Sequence, residues 1–417
     1  MSRFGLYVHI PYCLQICTYC DFVKFEARDL PPADDYVALL EEELATRTSA
    51  FRDSLWPSTT PVDSIYFGGG TPSLFSPHQI LTILKAIAKN GFDYAGRKTE
   101  ITLEINPGTL SARSLREFQA IGINRFSVGA QTFDERFLKV TGRKHSVKET
   151  LDTLDLLAGK GINYSFDLLF GLPGQSVKDV REDVLKALGF EPAHLSAYNL
   201  TLPPAHPLNK GRASDERQAE MFQIIEAELN TAGVACYEVS NFARPGFESQ
   251  HNLLYWTDGA YWGLGIGSHS YLPNWATPHS QWGARFWNPA SIAAYRREIQ
   301  TARGIQFWNL LPEARREILK LHELLTDFCH TSLRRVAGLS YRSIVEKFGE
   351  PIAATLIQEF HCRLAPHCEA GLVRQLGPKD PPEEGGWQLT IRGRTLADRV
   401  FESLTFLEGD KLSLPEV

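Results

Sequence analysis

The chain has no apolar stretch of about twenty residues, the length that a bilayer core demands of a helix, so no membrane span is expected. It has no excess of positive charge either. The formal net charge is −6, and a nucleic-acid partner, which calls for a basic footprint, is not expected. The first residues show no basic region followed by an apolar core and a small-residue cleavage site, so no secretory leader is expected. Cysteine is scarce: seven residues, an odd number without framework spacing. That excludes a disulfide scaffold and points to a reducing cytoplasm in which thiolates stay available. What remains is ordinary globular composition, 43% hydrophobic and 22% charged, over 417 residues. Such a length exceeds one hydrophobic core and predicts more than one domain.

Up to residue 235 short apolar runs alternate with amphipathic segments. The runs at 6–10, 62–67, 100–105, 123–128, 164–169 and 194–199 read as strands, with helices at 33–50, 77–90, 111–121, 147–160, 176–188 and 214–232 between them. Ser76-Pro77 and Ser111 supply helix starts, and Gly91 and Gly122 follow helix ends where a left-handed residue is tolerated. Six strand–helix units imply parallel strands joined by right-handed crossovers. They can close most of a barrel, and a doubly wound sheet fits the pattern almost as well. Beyond 235 the alternation stops. Residues 236–310 are rich in aromatics and glycine, and 311–417 return to helical periodicity followed by short strands. The expected organisation is an α/β body over 1–235, an extension over 236–310, and a winged-helix-like α+β appendage over 311–417.

The polar residues fall in register. Cys13, Cys17 and Cys20 follow the first strand, and Gly68-Gly69-Gly70-Thr71-Pro72 follows the second. Glu104 ends the third, Gln131 follows the fourth, Asp167 lies late in the fifth, and Tyr198-Asn199 close the sixth. In parallel α/β folds the carboxyl ends of the strands form the face where ligands bind. The cysteines form a C-x3-C-x2-C triplet with no fourth thiolate nearby. Three thiolates can hold three irons of a [4Fe–4S] cube and leave the fourth open to a ligand from solution. The spacing alone also admits a zinc site completed by His9, or three unconnected thiols. Cys236, Cys329, Cys362 and Cys368 read as structural thiols. Gly263-x-Gly265-x-Gly267 lacks the spacing and the strand–helix frame of a dinucleotide site.

Taken together, the cysteine triplet with Tyr19 and the glycine triplet with Thr71-Pro72 resemble the radical S-adenosylmethionine superfamily. Tyr7-Val8-His9-Ile10-Pro11-Tyr12-Cys13, Gly129-Ala130-Gln131-Thr132-Phe133 and Asp167-Leu168-Leu169-Phe170-Gly171-Leu172-Pro173 resemble its oxygen-independent coproporphyrinogen III oxidase branch. The resemblance covers nearly the whole chain. It implies a partial (β/α)6 barrel, a [4Fe–4S] cluster on Cys13, Cys17 and Cys20, and S-adenosylmethionine chelating the open iron. Reduction of the cofactor by the cluster would release a 5′-deoxyadenosyl radical. By the same resemblance Tyr7 and Tyr19 flank the cluster or cofactor. Gly69, Gly70 and Thr71 let backbone groups approach the methionine moiety, which glycine permits. Glu104, Gln131, Arg143 and Asp167 hold the cofactor, Arg143 through its fixed charge. Thr201, with Tyr198, lines the mouth of the last strand.

Two positions separate subgroups of that branch. The oxidase pattern carries a further cysteine two residues beyond the triplet, and here Phe22 stands in its place. His251-Asn252-x-x-Tyr255-Trp256 is similar to the H-N-x-x-Y-W signature of HemW-type haem chaperones. That resemblance implies haem as a ligand, His251 as its axial ligand and Tyr255 and Trp256 as packing partners. It also implies transfer to haem-acceptor proteins, among them respiratory and membrane-associated ones, and a reduced electron donor. A homodimer is compatible with the aromatic-rich surface. The alternative function is the oxidase reaction itself, oxidative decarboxylation of coproporphyrinogen III propionates, so the chain's status as an enzyme stays open at this point.

Overall fold

The computed structural model describes residues 3–54, 61–94, 98–158, 161–276, 280–301, 313–377 and 385–410. Six strands alternate with helices as the sequence pattern predicts: β1 (Phe4–Ile10), β2 (Ser64–Gly69), β3 (Glu100–Ile105), β4 (Arg125–Gln131), β5 (Asn163–Phe170) and β6 (His194–Asn199). The intervening helices are α1 (Ala33–Ser54), α2 (Pro77–Lys89), α3 (Ala112–Ala120), α4 (Glu135–Val140), α5 (Val147–Leu157) and α6 (Val177–Leu188), and α7 (Asp215–Thr231) follows β6. Their starts have local causes. Ser76, Ser111, Ser146 and Ser176 each accept a hydrogen bond from the third backbone N–H of the helix that follows, whose own side chain reaches back. This reciprocal cap satisfies two otherwise orphaned donors.

The strands lie in sequence order, all parallel. Ligand-binding parallel barrels need two faces of different character, and alternation along each strand supplies them. Phe4, Leu6, Val8 and Ile10 of β1, Ile65 and Phe67 of β2, Leu103 of β3 and Phe126 and Val128 of β4 are buried in the main hydrophobic core. The alternate residues form polar rows across neighbouring strands: Tyr66 beside Thr102, Thr102 beside Arg125, Glu104 beside Ser127, Ser165 beside His194, and Asp167 beside Ser196. One face is therefore a helix-packed core and the other a polar, partly open bowl.

The stretch after residue 235 extends both edges of this sheet. Strands β7 (Ala235–Glu238) and β8 (Asn241–Ala243) join at β6, with β8 antiparallel to it. After α8 (Gln250–Trp256), β9 (Ala260–Leu264) returns across the molecule and pairs parallel with β1. Strands β10 (His269–Leu272), β11 (Ala284–Trp287) and β12 (Arg316–Ile318) continue outward antiparallel, with α9 (Ile292–Thr301) between the last two. The result is a twelve-stranded sheet in the order β12-β11-β10-β9-β1-β2-β3-β4-β5-β6-β8-β7. A buried polar knot fixes α1 to this edge. Arg47 donates to Glu43 at 2.7 Å and to Glu298 at 2.6 Å, and Glu43 also accepts from the Gly265 N–H at 2.8 Å.

The C-terminal part has its own hydrophobic cluster, built on Leu325, Leu333, Leu356, Phe360 and Trp387. Helices α10 (Leu321–Arg334), α11 (Tyr341–Phe348) and α12 (Glu350–Glu369) surround a three-stranded antiparallel sheet of β13 (Leu339–Ser340), β14 (Val373–Leu376) and β15 (Gly386–Leu389). Helices followed by the strands β14 and β15 match the order expected of the winged-helix-like appendage, and the short strand β13 between α10 and α11 is an addition that the sequence pattern did not show. The fold is thus a partial (β/α)6 barrel carrying that appendage. Among the described residues no helix is long and apolar enough to cross a membrane.

Candidate functional site

The carboxyl ends of the barrel strands surround a cavity of about 310 Å3. Cys13, Cys17 and Cys20 stand on one side of it, Gly69, Gly70, Thr71 and Glu104 on another, and Gln131, Arg143, Asp167 and Tyr198 across from them. Tyr19 and Phe22 complete the rim. Thirteen of the residues singled out in the sequence therefore meet in one place.

The cysteine loop is tied down at its ends. Tyr12 and Cys13 pair with Phe25 and Glu26, and the Thr18 and Gln15 contacts reach the carbonyls of Thr141 and Gly142 on the far side of the barrel. All three thiols are free. Burial pushes the Cys13 thiol up to about 11 and raises Cys17, while the Arg143 guanidinium opposes both shifts. Iron binding must therefore drive protons from these sulfurs, as thiolate ligation generally does. The zinc arrangement weighed above is not formed. His9 shares one ring nitrogen with the Tyr7 hydroxyl at 3.0 Å and the other with the Val23 carbonyl at 2.7 Å. Among the described residues no three His, Cys, Asp or Glu side chains converge on a single-ion site. Three thiols spaced around a cavity mouth are a donor set that fits a polynuclear cluster with one open iron.

The glycine triplet is demanded by packing. A Cβ on Gly70 would stand 2.7 Å from the Tyr12 carbonyl oxygen and 2.8 Å from the Pro11 carbonyl carbon. Gly69 has φ +113°, and a Cβ there would meet the His9 ring at 2.5 Å. The β2 turn thus lies directly against the chain that leads into Cys13, and its backbone faces the cavity. Gln131, buried at the end of β4, also takes a left-handed φ of +67°. For a residue with a Cβ such a conformation is sustained by its surroundings, and it commonly marks a functional site.

Arg143 is held flat by two partners: it donates to the Tyr19 hydroxyl at 2.8 Å and to Asn106 Oδ1 at 2.9 Å. Asn106 in turn donates to Thr71 Oγ1 at 2.8 Å. This chain orients a permanent cation toward the cavity. Glu104 accepts from the Tyr66 hydroxyl at 2.7 Å and from the Gly69 N–H at 3.1 Å. Burial raises its carboxyl to about 7 even though both donors pull the other way. Burial raises Asp167 too, against a hydrogen bond from Ser196 and the Arg125 and Arg143 charges. The cavity so offers the oriented Arg143 cation, with Arg125 also on its wall, and two carboxyls poised to accept or share protons.

Three expected residues stand outside the first cavity. Thr201 lies in a different depression, with Leu200, Arg212 and Arg399, and its hydroxyl donates to the Asn199 carbonyl. Tyr7 and His251 line a second cavity of about 320 Å3, which shares Phe22, Tyr66, Gly69, Glu104 and Asn252 with the first. His251 is only 2% exposed. Its Nδ1 lies 2.8 Å from Ser64 Oγ, its Nε2 lies 2.9 Å from the Tyr255 hydroxyl, and its ring stacks on Tyr66 at 5.0 Å. Burial lowers its pKa to about 3, so the ring is neutral. Tyr255 closes over it, and Trp256 is covered by the Arg334 guanidinium at 4.7 Å.

Sequence reasoning missed Tyr66, Asn106, Arg125, Ser127, His194 and Ser196, all of which line the first cavity. Arg125 is 2% exposed, donates to Ser165 at 3.0 Å and lies 3.8 Å from Glu100. The signal that could have found most of them is alternation: each strand residue sits two positions from a residue already singled out, or on the same row of a neighbouring strand.

Comparisons with known proteins give the family and the fold. The sequence model of the Radical SAM superfamily matches residues 7–187. The haem chaperone HemW of Bacillus subtilis is 30% identical over 406 residues, covering 95% of this chain and 97% of that protein. Its Escherichia coli counterpart is 38% identical over 270 residues, 64% of this chain and 69% of that one. Among solved structures, the radical SAM coproporphyrinogen III oxidase HemN of Escherichia coli superimposes with a TM-score of 0.76 at 22% identity, over 97% of this chain and 90% of that chain. The last likeness concerns the fold.

Proposed function

The chain belongs to the HemW type within the radical SAM superfamily, and from that premise we propose that it is a haem chaperone: it binds haem and hands it to acceptor proteins. The observation that carries this reading is the similarity to the Bacillus subtilis haem chaperone, which runs through 95% of this chain and so includes the appendage as well as the barrel. Phe22 supports it, because the oxidase pattern has a cysteine there.

In this reading Cys13, Cys17 and Cys20 hold a [4Fe–4S] cluster, and the cavity beside them takes S-adenosylmethionine. When bound, that pair supplies reductive cleavage of a carbon–sulfur bond. The chain's own residues bind and orient. Arg143, fixed by Tyr19 and Asn106, faces a carboxylate. Glu104 and Asp167 accept from hydroxyl or amino groups, as acidic residues do in nucleotide sites. Gln131 and the backbone of Gly69 and Gly70 close the walls, with Thr71 behind them. Haem takes the neighbouring aromatic cavity that contains Tyr7, His251 and Tyr255. Coordination through His251 would require its ring to release Tyr255 or Ser64. The barrel over 1–235 serves the cluster, the 236–310 extension supplies the haem side, and the 311–417 appendage meets partners. Those partners are haem-acceptor proteins, respiratory and membrane-associated ones among them, and a reduced electron donor. The setting is the cytoplasm, and a homodimer is compatible with the surface.

The oxidase reading is separated by turnover. Under anaerobic, reducing conditions in which the reconstituted protein cleaves S-adenosylmethionine, coproporphyrinogen III should remain unconverted. Formation of protoporphyrinogen would overturn the chaperone reading in favour of the enzyme.

A further inference from the structure

Two buried groups on the floor of the first cavity have no part in the reading above. Arg125 opens β4, where it pairs with Thr102, two residues below the row of Glu104 and Ser127. Its guanidinium offers five N–H donors. One goes to Ser165 Oγ at 3.0 Å, and Ser165 in turn donates to Ser127 Oγ at 3.0 Å. Among the described residues no acceptor meets Nη1, and Nε is enclosed without a hydrogen bond. Glu100 Oε2 stands 3.8 Å from that Nε, close enough to offset charge and too far to accept a proton. The other Glu100 oxygen is taken by the His251 N–H at 3.2 Å.

His194 shares this floor. It is buried, its Nε2 lies 2.9 Å from the Tyr237 hydroxyl, and its Nδ1 has no partner. Burial, helped by the Arg125 charge, holds the ring neutral. The Tyr237 oxygen accepts from the Ser249 backbone N–H, which leaves the tyrosine proton for His194 Nε2 and puts the ring proton on Nδ1.

A permanent buried cation with unmet donors, beside a bare imidazole N–H, is unfavourable until an anion completes it. A carboxylate does so. Its two oxygens match the guanidinium fork and keep a lone pair for the imidazole. Arg143, held at Tyr19 and Asn106, already answers the carboxylate of S-adenosylmethionine. The floor also opens toward the aromatic cavity, since Tyr66, Glu104 and Asn252 line both spaces.

We propose that Arg125 and His194 form a carboxylate subsite, and that it takes a propionate of the haem whose macrocycle occupies the aromatic cavity. The proposal rests on the haem-binding reading above. It makes the acid side chains of the tetrapyrrole part of what the protein recognises, along with the iron.

The test compares ferric haem with its dimethyl ester, which keeps the iron and the macrocycle and carries no free carboxylate. Both are titrated from the same detergent solution into the full-length wild type, Arg125→Gln, Arg125→Lys and His194→Phe, and followed by the Soret band. The wild type should bind haem roughly tenfold or more tighter than the ester, the loss expected when charge-assisted hydrogen bonds are removed. Arg125→Gln and His194→Phe should weaken haem and leave the ester unmoved, so the preference shrinks. Arg125→Lys keeps the charge without the fork and should retain part of it. If Arg125 served packing alone, both ligands would weaken together and the preference would stay at its wild-type value, which overturns the proposal. Equal binding of haem and ester by the wild type overturns it too, while leaving haem binding intact, and that arm needs no variant to fold. A wild type that gives no Soret band with either ligand would instead defeat the chaperone reading, and the subsite with it.

Discussion

Glu104→Gln should make the metal-free protein more stable at neutral pH. Glu104 is mostly covered, its carboxyl is enclosed by Tyr66, Gly69 and the barrel wall, and burial raises it from 4.5 to about 7. In the unfolded chain the group releases its proton near 4.5, whereas the folded protein keeps it until about pH 7. Over that window the unfolded state binds fewer protons, so stability falls as pH rises. Each pH unit costs about 1.4 kcal/mol, and the penalty reaches about 3 kcal/mol by neutral pH. Below pH 4.5 both states are protonated and nothing is lost; above 7 both are ionised and the loss is complete. Glutamine removes the titration and keeps the contacts, because its oxygen can accept from the Gly69 N–H while its amide donates to the Tyr66 hydroxyl oxygen. Urea unfolding of the wild type and the variant from pH 4 to 8 measures the difference. Asp183, which burial also raises, tilts both proteins alike and drops out of the comparison, whereas the Asp167 charge helps to raise Glu104 and its repulsion is relieved in the variant, in the same direction as the expected gain. The curves should coincide at pH 4 and separate by about 3 kcal/mol in the variant's favour above pH 7. A variant equal to or weaker than wild type at pH 8 would refute the reasoning.

Three further outcomes follow from other contacts. Gly70→Ala drives a Cβ into the Tyr12 and Pro11 backbone, which cannot swing aside, and should cost about 1–3 kcal/mol in a denaturation series. Glu43→Ala removes one of the two carboxylates that Arg47 meets, leaving Glu298, and strands the Gly265 N–H, so unfolding should show a loss of about 1–3 kcal/mol. In equilibrium binding to the reconstituted protein, Arg143→Ala should weaken S-adenosylmethionine and Thr201→Ala should not, because Thr201 opens into a different depression; equal losses would contradict that placement.

The barrel was legible because its strand runs and helix caps repeat at regular spacing, and each local signal agrees with the parallel sheet that forms. The cysteine loop and the row of polar residues at strand ends were legible for the same reason: alternation points them to one side, and a βα loop follows each strand. The edge strands were not. β9 pairs with β1 across more than two hundred residues of chain, and no local pattern marks that pairing. Thr201 was drawn in by its nearness to β6, but that strand ends at Asn199 and the chain turns away from the cavity. Asn106 lies just past β3, where a lone asparagine reads as a turn residue; only the structure shows it joining Arg143 to Thr71. The environment of His251 was hidden as well, since its partners Ser64 and Tyr66 come from a distant strand.

The most direct test of the account is a titration of ferric haem into the wild-type protein, reconstituted without air. The account predicts a saturable Soret band at one haem per chain that moves to an added apo-haem protein. A protein that leaves the free-haem spectrum unchanged would contradict it.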